Sequence, residues 1–201
     1  MAGRQAGVTM SAQDRQRWDA RYSAGEYAGR THPTVLLEQW LPALSTGRAL
    51  DVACGAGRNA VFLANQGYQV DAVDVSAVGL ERAAQTAAAE NAQVNWINLD
   101  LQTDELPTGP YNLIIVSRFL LHTLVPQILD RLATGGAIVY EQHVRSKETD
   151  IGGPRSNRIR LREQELLRLF GELHVDSYYE GLVVDPGGAR MALAQLVAHR
   201  R

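Results

Sequence analysis

Two carboxylates in this chain are spaced to grip a nucleoside cofactor. Asp51 lies in the apolar stretch Ala49-Leu-Asp-Val-Ala53, which runs directly into the glycine turn Cys54-Gly-Ala-Gly57. Asp74 ends a second apolar stretch, Val70-Asp-Ala-Val-Asp74, about twenty residues later. Strand, glycine turn and helix start, followed by an acid at the end of the next strand, form half of a nucleotide-cofactor site. Gly55 and Gly57 remove side chains where backbone must turn sharply and approach a ligand. The amides of the helix start that follows polarise ligand oxygens. Asp51 bears on which cofactor fits: a carboxylate at the foot of the turn repels a pyrophosphate and suits a ligand carrying an ammonium and a sulfonium.

Composition narrows the partners. With 45% hydrophobic and 21% charged residues in 201, the chain has enough apolar material for one globular domain with a substantial core. A net charge of −2 lacks the basic footprint of a phosphate-backbone binder, so no nucleic acid is expected. The first seventeen residues are polar, and no apolar run approaches bilayer length, so neither a signal peptide nor a membrane partner is expected. Cys54 is the single cysteine, which fits a reducing, cytoplasmic setting. His32, His174 and His199 show no ligand spacing along the chain, so no metal is expected. Arginine supplies almost all basic charge, and Lys147 is the only lysine. The basic excess between residues 145 and 162 reads either as a solvated loop or as a rim that attracts anionic substrates.

The elements that must hold these residues alternate strand and helix. Ser11 to Tyr22 reads as a short amphipathic helix capped by Ser11, and Thr34 as the cap of a second helix over Val35–Leu41. Then come strand Ala49–Ala53, helix Arg58–Gln66 stopped by Gly67, strand Gln69–Asp74, and an Ala-rich helix capped by Ser76 that ends near Glu90. Strands Val94–Leu99 and Tyr111–Val116 follow, then a helix from Pro126 to about Leu132. Gly135-Gly136 is expected to close that helix and open strand Ala137–Gln142. A helix over Glu163–Phe170 precedes strands His174–Val184 and Met191–Ala198, with Asp185-Pro-Gly-Gly188 as the turn between them. The pattern predicts an α/β, Rossmann-like three-layer αβα sandwich, with a mostly parallel seven-stranded sheet and a C-terminal antiparallel hairpin.

The motifs resemble those of class I S-adenosylmethionine (SAM)-dependent methyltransferases. Leu50-Asp-Val-Ala-Cys-Gly-Ala-Gly57 resembles their motif I, and Val73-Asp74 the acidic end of their second strand. Asn98-Leu-Asp-Leu101 resembles the adenine-contacting segment, Tyr111–Ser117 the fourth strand, and Leu132–Val139 the glycine-glycine entry into the fifth. The resemblance covers roughly residues 34 to 199. Trp18-Asp-Ala-Arg-Tyr22 and Gly-Arg-Asn59-Ala60 point toward the small-molecule branch that includes tellurite-resistance and thiopurine methyltransferases. Ser117-Arg-Phe119 and the arginine-rich loop depart from any motif of that branch.

The resemblance implies a division of labour. The cofactor-binding set is Asp51, Ala53, Cys54, Gly55, Gly57, Asn59, Asp74, Val75, Asp100, Leu101, Ser117, Arg118 and Phe119. Asp74 takes the ribose hydroxyls, Asp51 the methionine ammonium, Asp100 the adenine amino group, and Val75 and Leu101 sandwich the ring. Arg30 or Arg58 takes the cofactor carboxylate, with no choice between them. Trp18, Tyr22, Tyr27 and Arg30 belong to a helical lid over residues 1–33, ahead of a methyltransferase domain over residues 34–201. A soft anionic acceptor needs no base, whereas a hydroxyl or amine does. His122, Glu141 and His143 are the base candidates, with His143 preferred because it follows the fifth strand.

The function expected from the sequence is methyl transfer from SAM, leaving S-adenosylhomocysteine, to a small molecule. Tellurite, selenite, thiols, halides and small aromatic or quinone hydroxyls all stay open as acceptors. The protein acts as a monomer or homodimer. Two competing readings remain. Gly55-Ala-Gly-Arg-Asn-Ala60 also fits the fingerprint of an NAD-dependent oxidoreductase. A catalytically silent SAM-fold sensor or partner subunit would carry the same motifs.

Overall fold

Alternating apolar residues drive this chain into a sheet covered on both faces. The computed structural model describes residues 11–201. Its elements are α1 (Ser11–Ser23), α2 (Val35–Trp40), β1 (Arg48–Val52), α3 (Arg58–Asn65), β2 (Gln69–Asp74), α4 (Ala77–Ala89), β3 (Val94–Asn98), β4 (Tyr111–Ser117), α5 (Val125–Arg131), β5 (Leu132–His143), α6 (Glu165–Leu169), β6 (His174–Val184) and β7 (Arg190–His199). The seven strands lie in the order β3-β2-β1-β4-β5-β7-β6. β1 to β5 are parallel, and β7 inserts antiparallel between β5 and β6. A dinucleotide-binding sheet runs 3-2-1-4-5-6. The inserted hairpin departs from that order and argues against the NAD reading.

Successive residues of a strand point to opposite faces, so each strand feeds two cores. Leu50, Val52, Ile114, Val116, Ile138 and Tyr140 pack with α5, α6 and Phe170 on one face. Ala49, Val70, Leu113, Ile115 and Val139 pack with α2 and α3 on the other. By the same alternation Asp51, Ser117 and Glu141 fall on the α2–α3 face. They sit toward the carboxyl ends of their strands, where open α/β sheets bind ligands.

Several local expectations shift. Ser11 is already helical, and any residue ahead of it in the chain lies outside the described part. Thr34 makes no side-chain cap; its backbone N–H instead donates to Asn59 Oδ1 (2.9 Å). α5 ends at Arg131 and β5 begins at once, so Gly135-Gly136 lies inside the strand. There the pairing with β4 slips between Tyr111 and Leu113. A Cβ on Gly136 would come within 2.7 Å of the Tyr111 carbonyl oxygen, which explains the small residue. α6 is only the turn and a half from Glu165 to Leu169. Ser76 caps α4 as expected, its hydroxyl accepting from the Gly79 amide (3.0 Å). Among the described residues no helix is long and apolar enough to cross a membrane.

Candidate active site

The turn after β1 is built from left-handed backbone. Ala53, Gly55 and Gly57 have φ of 56°, 58° and 77°. Glycine adopts these angles without strain, whereas Ala53 does so at a cost held in place by its surroundings. At Gly57 a Cβ would lie 2.6 Å from the Trp96 ring and 2.7 Å from Ala83 Cβ, so the start of α3 is pressed against β3 and α4.

Asp74 is buried behind this turn. One carboxylate oxygen accepts from the Gly55 amide and the other from the Ser76 amide, both at 2.8 Å. Burial raises its pKa, the amides of Ser76, Gly55 and Val75 pull it down, and Asp19 adds a further upward push. Asn98 ties the end of β3 to the end of β2, donating to the Asp74 and Val75 carbonyls (3.1 and 3.0 Å). Asp100 is also buried, and its Oδ1 accepts from the Gln102 amide (3.1 Å).

Asp51 stands apart electrostatically. It is 1% exposed, and its Oδ2 has no hydrogen-bond partner among the described residues. Burial pushes its pKa up to about 8, against the pull of Arg58 and the Ala60 amide and with a further push from Asp74. A buried polar atom left unpaired is costly and marks a place for a missing partner. Cys54 is no nucleophile: burial, then Asp51 and Asp74, push its thiol up.

α1 lies across the same turn. Asp19 Oδ1 accepts from the Ser76 hydroxyl (2.6 Å) and the Val78 amide (3.3 Å), a second carboxylate cap on α4. Arg82 of α4 donates to the Tyr22 and Glu26 carbonyls (3.1 and 3.3 Å). Tyr22 is buried between Gly55 and Gly79, where a Cβ would come within 3.0 Å of its ring. Trp18, Tyr22 and Tyr27 form a triangle with ring centroids 6.1 to 6.3 Å apart. Arg21 stacks against Trp18 and Tyr27, and Arg30 against Tyr27.

Beyond Asp51 lies a second, cationic cluster. Arg58 donates to the His32 carbonyl (3.1 Å) and the Ser117 hydroxyl (3.4 Å), and it pairs with no carboxylate among the described residues. Burial and the neighbouring Arg118 and Arg30 lower its pKa, against Glu141 and Asp51. Arg118, with a left-handed φ of 59°, bridges Glu141 (3.1 Å) and Asp185 (3.4 Å). Gln195 donates to the other Glu141 oxygen (2.8 Å). Arg30, His32, Arg58, Asp185 and Gly187 line a cleft of about 210 Å³. His143 is buried nearby, and burial with Arg118, Arg160 and Arg30 lowers its pKa to about 4.

The structure therefore gathers Tyr22, Asp51, Gly55 and Asp74 in one group and Arg30, Arg58, Ser117 and Arg118 in a second. Three residues lie elsewhere. His122 is exposed on the surface and pairs with Glu165 (3.0 Å), because its short 3-10 turn faces α6. Asn59 is buried, and its amide oxygen is spent on Thr34 at the start of α2. Phe119 packs on the α5–α6 core, and its carbonyl accepts from Tyr140 (2.8 Å). Sequence reasoning missed Asp19, Arg82, Asp185 and Gln195. Asp19 had a signal, since it stands three residues before Tyr22 on one helical face. The other three meet the site only through tertiary contacts.

Known proteins share this fold. Residues 49–136 match the profile of a family described as "Methyltransferase domain". An uncharacterized methyltransferase of Mycobacterium tuberculosis is 40% identical over 91 residues, 45% of each chain, so the match spans about half the length of that relative. TehB from Haemophilus influenzae superposes with a TM-score of 0.74 at 19% identity, over 90% of this chain and 66% of its own. The 1,6-didemethyltoxoflavin-N1-methyltransferase of Burkholderia thailandensis, solved with its substrate and S-adenosylhomocysteine, gives 0.70 at 16% identity, over 100% and 92%. At such identities the likeness to solved structures speaks for the fold alone. Motif I, the acid ending β2 and the inserted hairpin stand in register, and the central segment, residues 49–136, is similar to the methyltransferase-domain family.

Proposed function

We propose that this protein methylates a small acceptor that arrives as an anion. The observation that carries the cofactor half is the unpaired, buried Asp51 Oδ2 at the foot of the glycine turn. A ligand ammonium supplies the partner that this oxygen lacks, and its charge offsets the burial that holds the Asp51 pKa near 8. Asp74 also fits: its two amide bonds use two of about four accepting positions, leaving room for ribose hydroxyls. Asp100 and Leu101 sit beyond β3, where the adenine contacts are expected. When bound, SAM supplies an activated methyl group with its leaving group attached.

Support for an anionic acceptor comes from the surrounding charge and from the want of a base. Arg30, Arg58 and Asp185 line the cleft, and Arg58, Arg118, Glu141 and Asp185 line a smaller pocket beside it. Arg58 is a half-buried cation that pairs with no carboxylate among the described residues, which favours an incoming anion. Of the base candidates, His122 is on the surface, Glu141 is held by Arg118 and Gln195, and His143 is a weak base with a pKa near 4. The chain's own part is to orient a nucleophile that needs no deprotonation, such as a thiolate or a chalcogen oxyanion, and to exclude water with α1.

The test has two arms. Titration of the full chain with SAM and separately with NADH reads the cofactor, and NADH binding without SAM binding would overturn the first half. Release of S-adenosylhomocysteine across tellurite, selenite, thiols, halides and phenols reads the acceptor. Fastest turnover with neutral hydroxyls would overturn the second half while leaving the cofactor assignment standing.

A further inference from the structure

At the opposite end of the sheet, His174 and Asp176 of β6 meet His199, more than twenty residues later in the chain. His174 opens β6, His199 closes β7, and the antiparallel register pairs them directly. The row Ala49–Leu113–Ala137–His199 puts this pair level with the amino-terminal half of β1, away from the glycine turn. β6 carries a bulge between Val175 and Ser177, which leaves Asp176 out of the pairing. A bulge of this kind re-aims a side chain. Here the Asp176 carboxylate reaches His199, its two oxygens lying 2.8 and 3.0 Å from His199 Nδ1. The two imidazole rings have centroids 4.8 Å apart, and one ligand atom from each residue lies within 4.8 Å of the other two.

From this geometry we propose that His174, Asp176 and His199 bind one divalent transition-metal ion, with zinc as the probe. Nitrogen and carboxylate ligands bind zinc at about 2.0–2.2 Å in a tetrahedron, which sets ligand atoms roughly 3.3–3.6 Å apart. The observed separations, up to 4.8 Å, must close by roughly an ångström to reach that spacing. Two imidazoles and one carboxylate leave a fourth position for water. Arg201 opposes the ion: its guanidinium lies 2.6 Å from His174 Nδ1 and has to swing away for that nitrogen to coordinate. The Arg201 side chain is exposed. A bound ion would tie the ends of β6 and β7 together and stabilise the hairpin by mass action. This site is independent of the cofactor cleft and of the proposed methyl transfer.

The test is titration of the tag-free full chain with zinc chloride, read by calorimetry and by thermal melting. One ion per chain is expected, with a rise in melting temperature. His174→Ala and His199→Ala should each weaken binding tenfold or more and abolish the thermal shift, while their metal-free melts stay close to the parent. Arg201→Ala should tighten binding several-fold, an effect that a fortuitous surface histidine elsewhere would not give. No zinc binding by the parent chain, or equal binding by the His174→Ala/His199→Ala double variant, would overturn the site.

Discussion

The Tyr22 hydroxyl rests on Gly55, in the space where any other residue would carry its Cβ. The helix ahead of the domain is thus keyed to the residue whose backbone shapes the cofactor turn. On the proposed reading, a cofactor lying along that turn displaces the phenol, and α1 acts as a lid that lifts for binding. Gly55→Ala tests the contact. The methyl group meets the hydroxyl, and the φ of 58° costs a further 1–2 kcal/mol or so. The variant should melt lower and be cut faster by protease between residues 24 and 33. An unchanged cleavage rate would reject the lid.

If α1 is the proposed lid, removing residues 1–30 should cost turnover more than folding, because the two main apolar clusters draw on α2 and later elements. A truncated protein with the parent rate would show that α1 is mere packing.

Asp74 carries structure as well as the proposed ribose contact. Asp74→Ala strands the Gly55 and Ser76 amides, at about 1–3 kcal/mol for a buried group left unsatisfied. Asp74→Asn keeps the size and is the cleaner probe. It should weaken SAM binding at least tenfold with a smaller loss of melting temperature. Parent-like SAM affinity would count against the site.

The raised pKa of Asp51 makes a signed prediction. Its folded value near 8 lies above the ordinary carboxylate range, so the free protein holds a proton there at neutral pH. A ligand ammonium favours the ionised form, so SAM binding should release that proton. Affinity should therefore rise with pH from 6 to about 8 and then level off, and Asp51→Asn should flatten the profile. Calorimetry in buffers of different ionisation heat measures the proton directly.

His143 acts in the other direction. Its folded pKa near 4 lies below 6.5, so the unfolded chain takes up a proton that the folded chain refuses. Stability is complete above about pH 6.5 and is lost as pH falls toward 4, by about 3 kcal/mol for a shift of this size. His143→Gln should remove that part of the acid sensitivity in denaturant titrations between pH 4 and 7. Equal slopes in both proteins would show that the ring is protonated in the fold.

Much of this protein was determined by its sequence alone. The strand–turn–helix repeat, the acids at 51 and 74, the Ser76 cap and the terminal hairpin are local patterns, set by side-chain alternation and by the backbone freedom of glycine. The tertiary structure decided which charges share a space. It left Arg58 half-buried with no carboxylate partner among the described residues, tied Glu141 to Arg118 and Gln195, sent His122 to the surface and spent Asn59 on Thr34. It also brought His174 and His199 face to face across 25 residues of chain, through a register that no spacing in the sequence displays. The physical reason is that periodicity encodes which face a residue takes, whereas electrostatic partners depend on distances between strands and loops that are set only when the whole sheet is assembled.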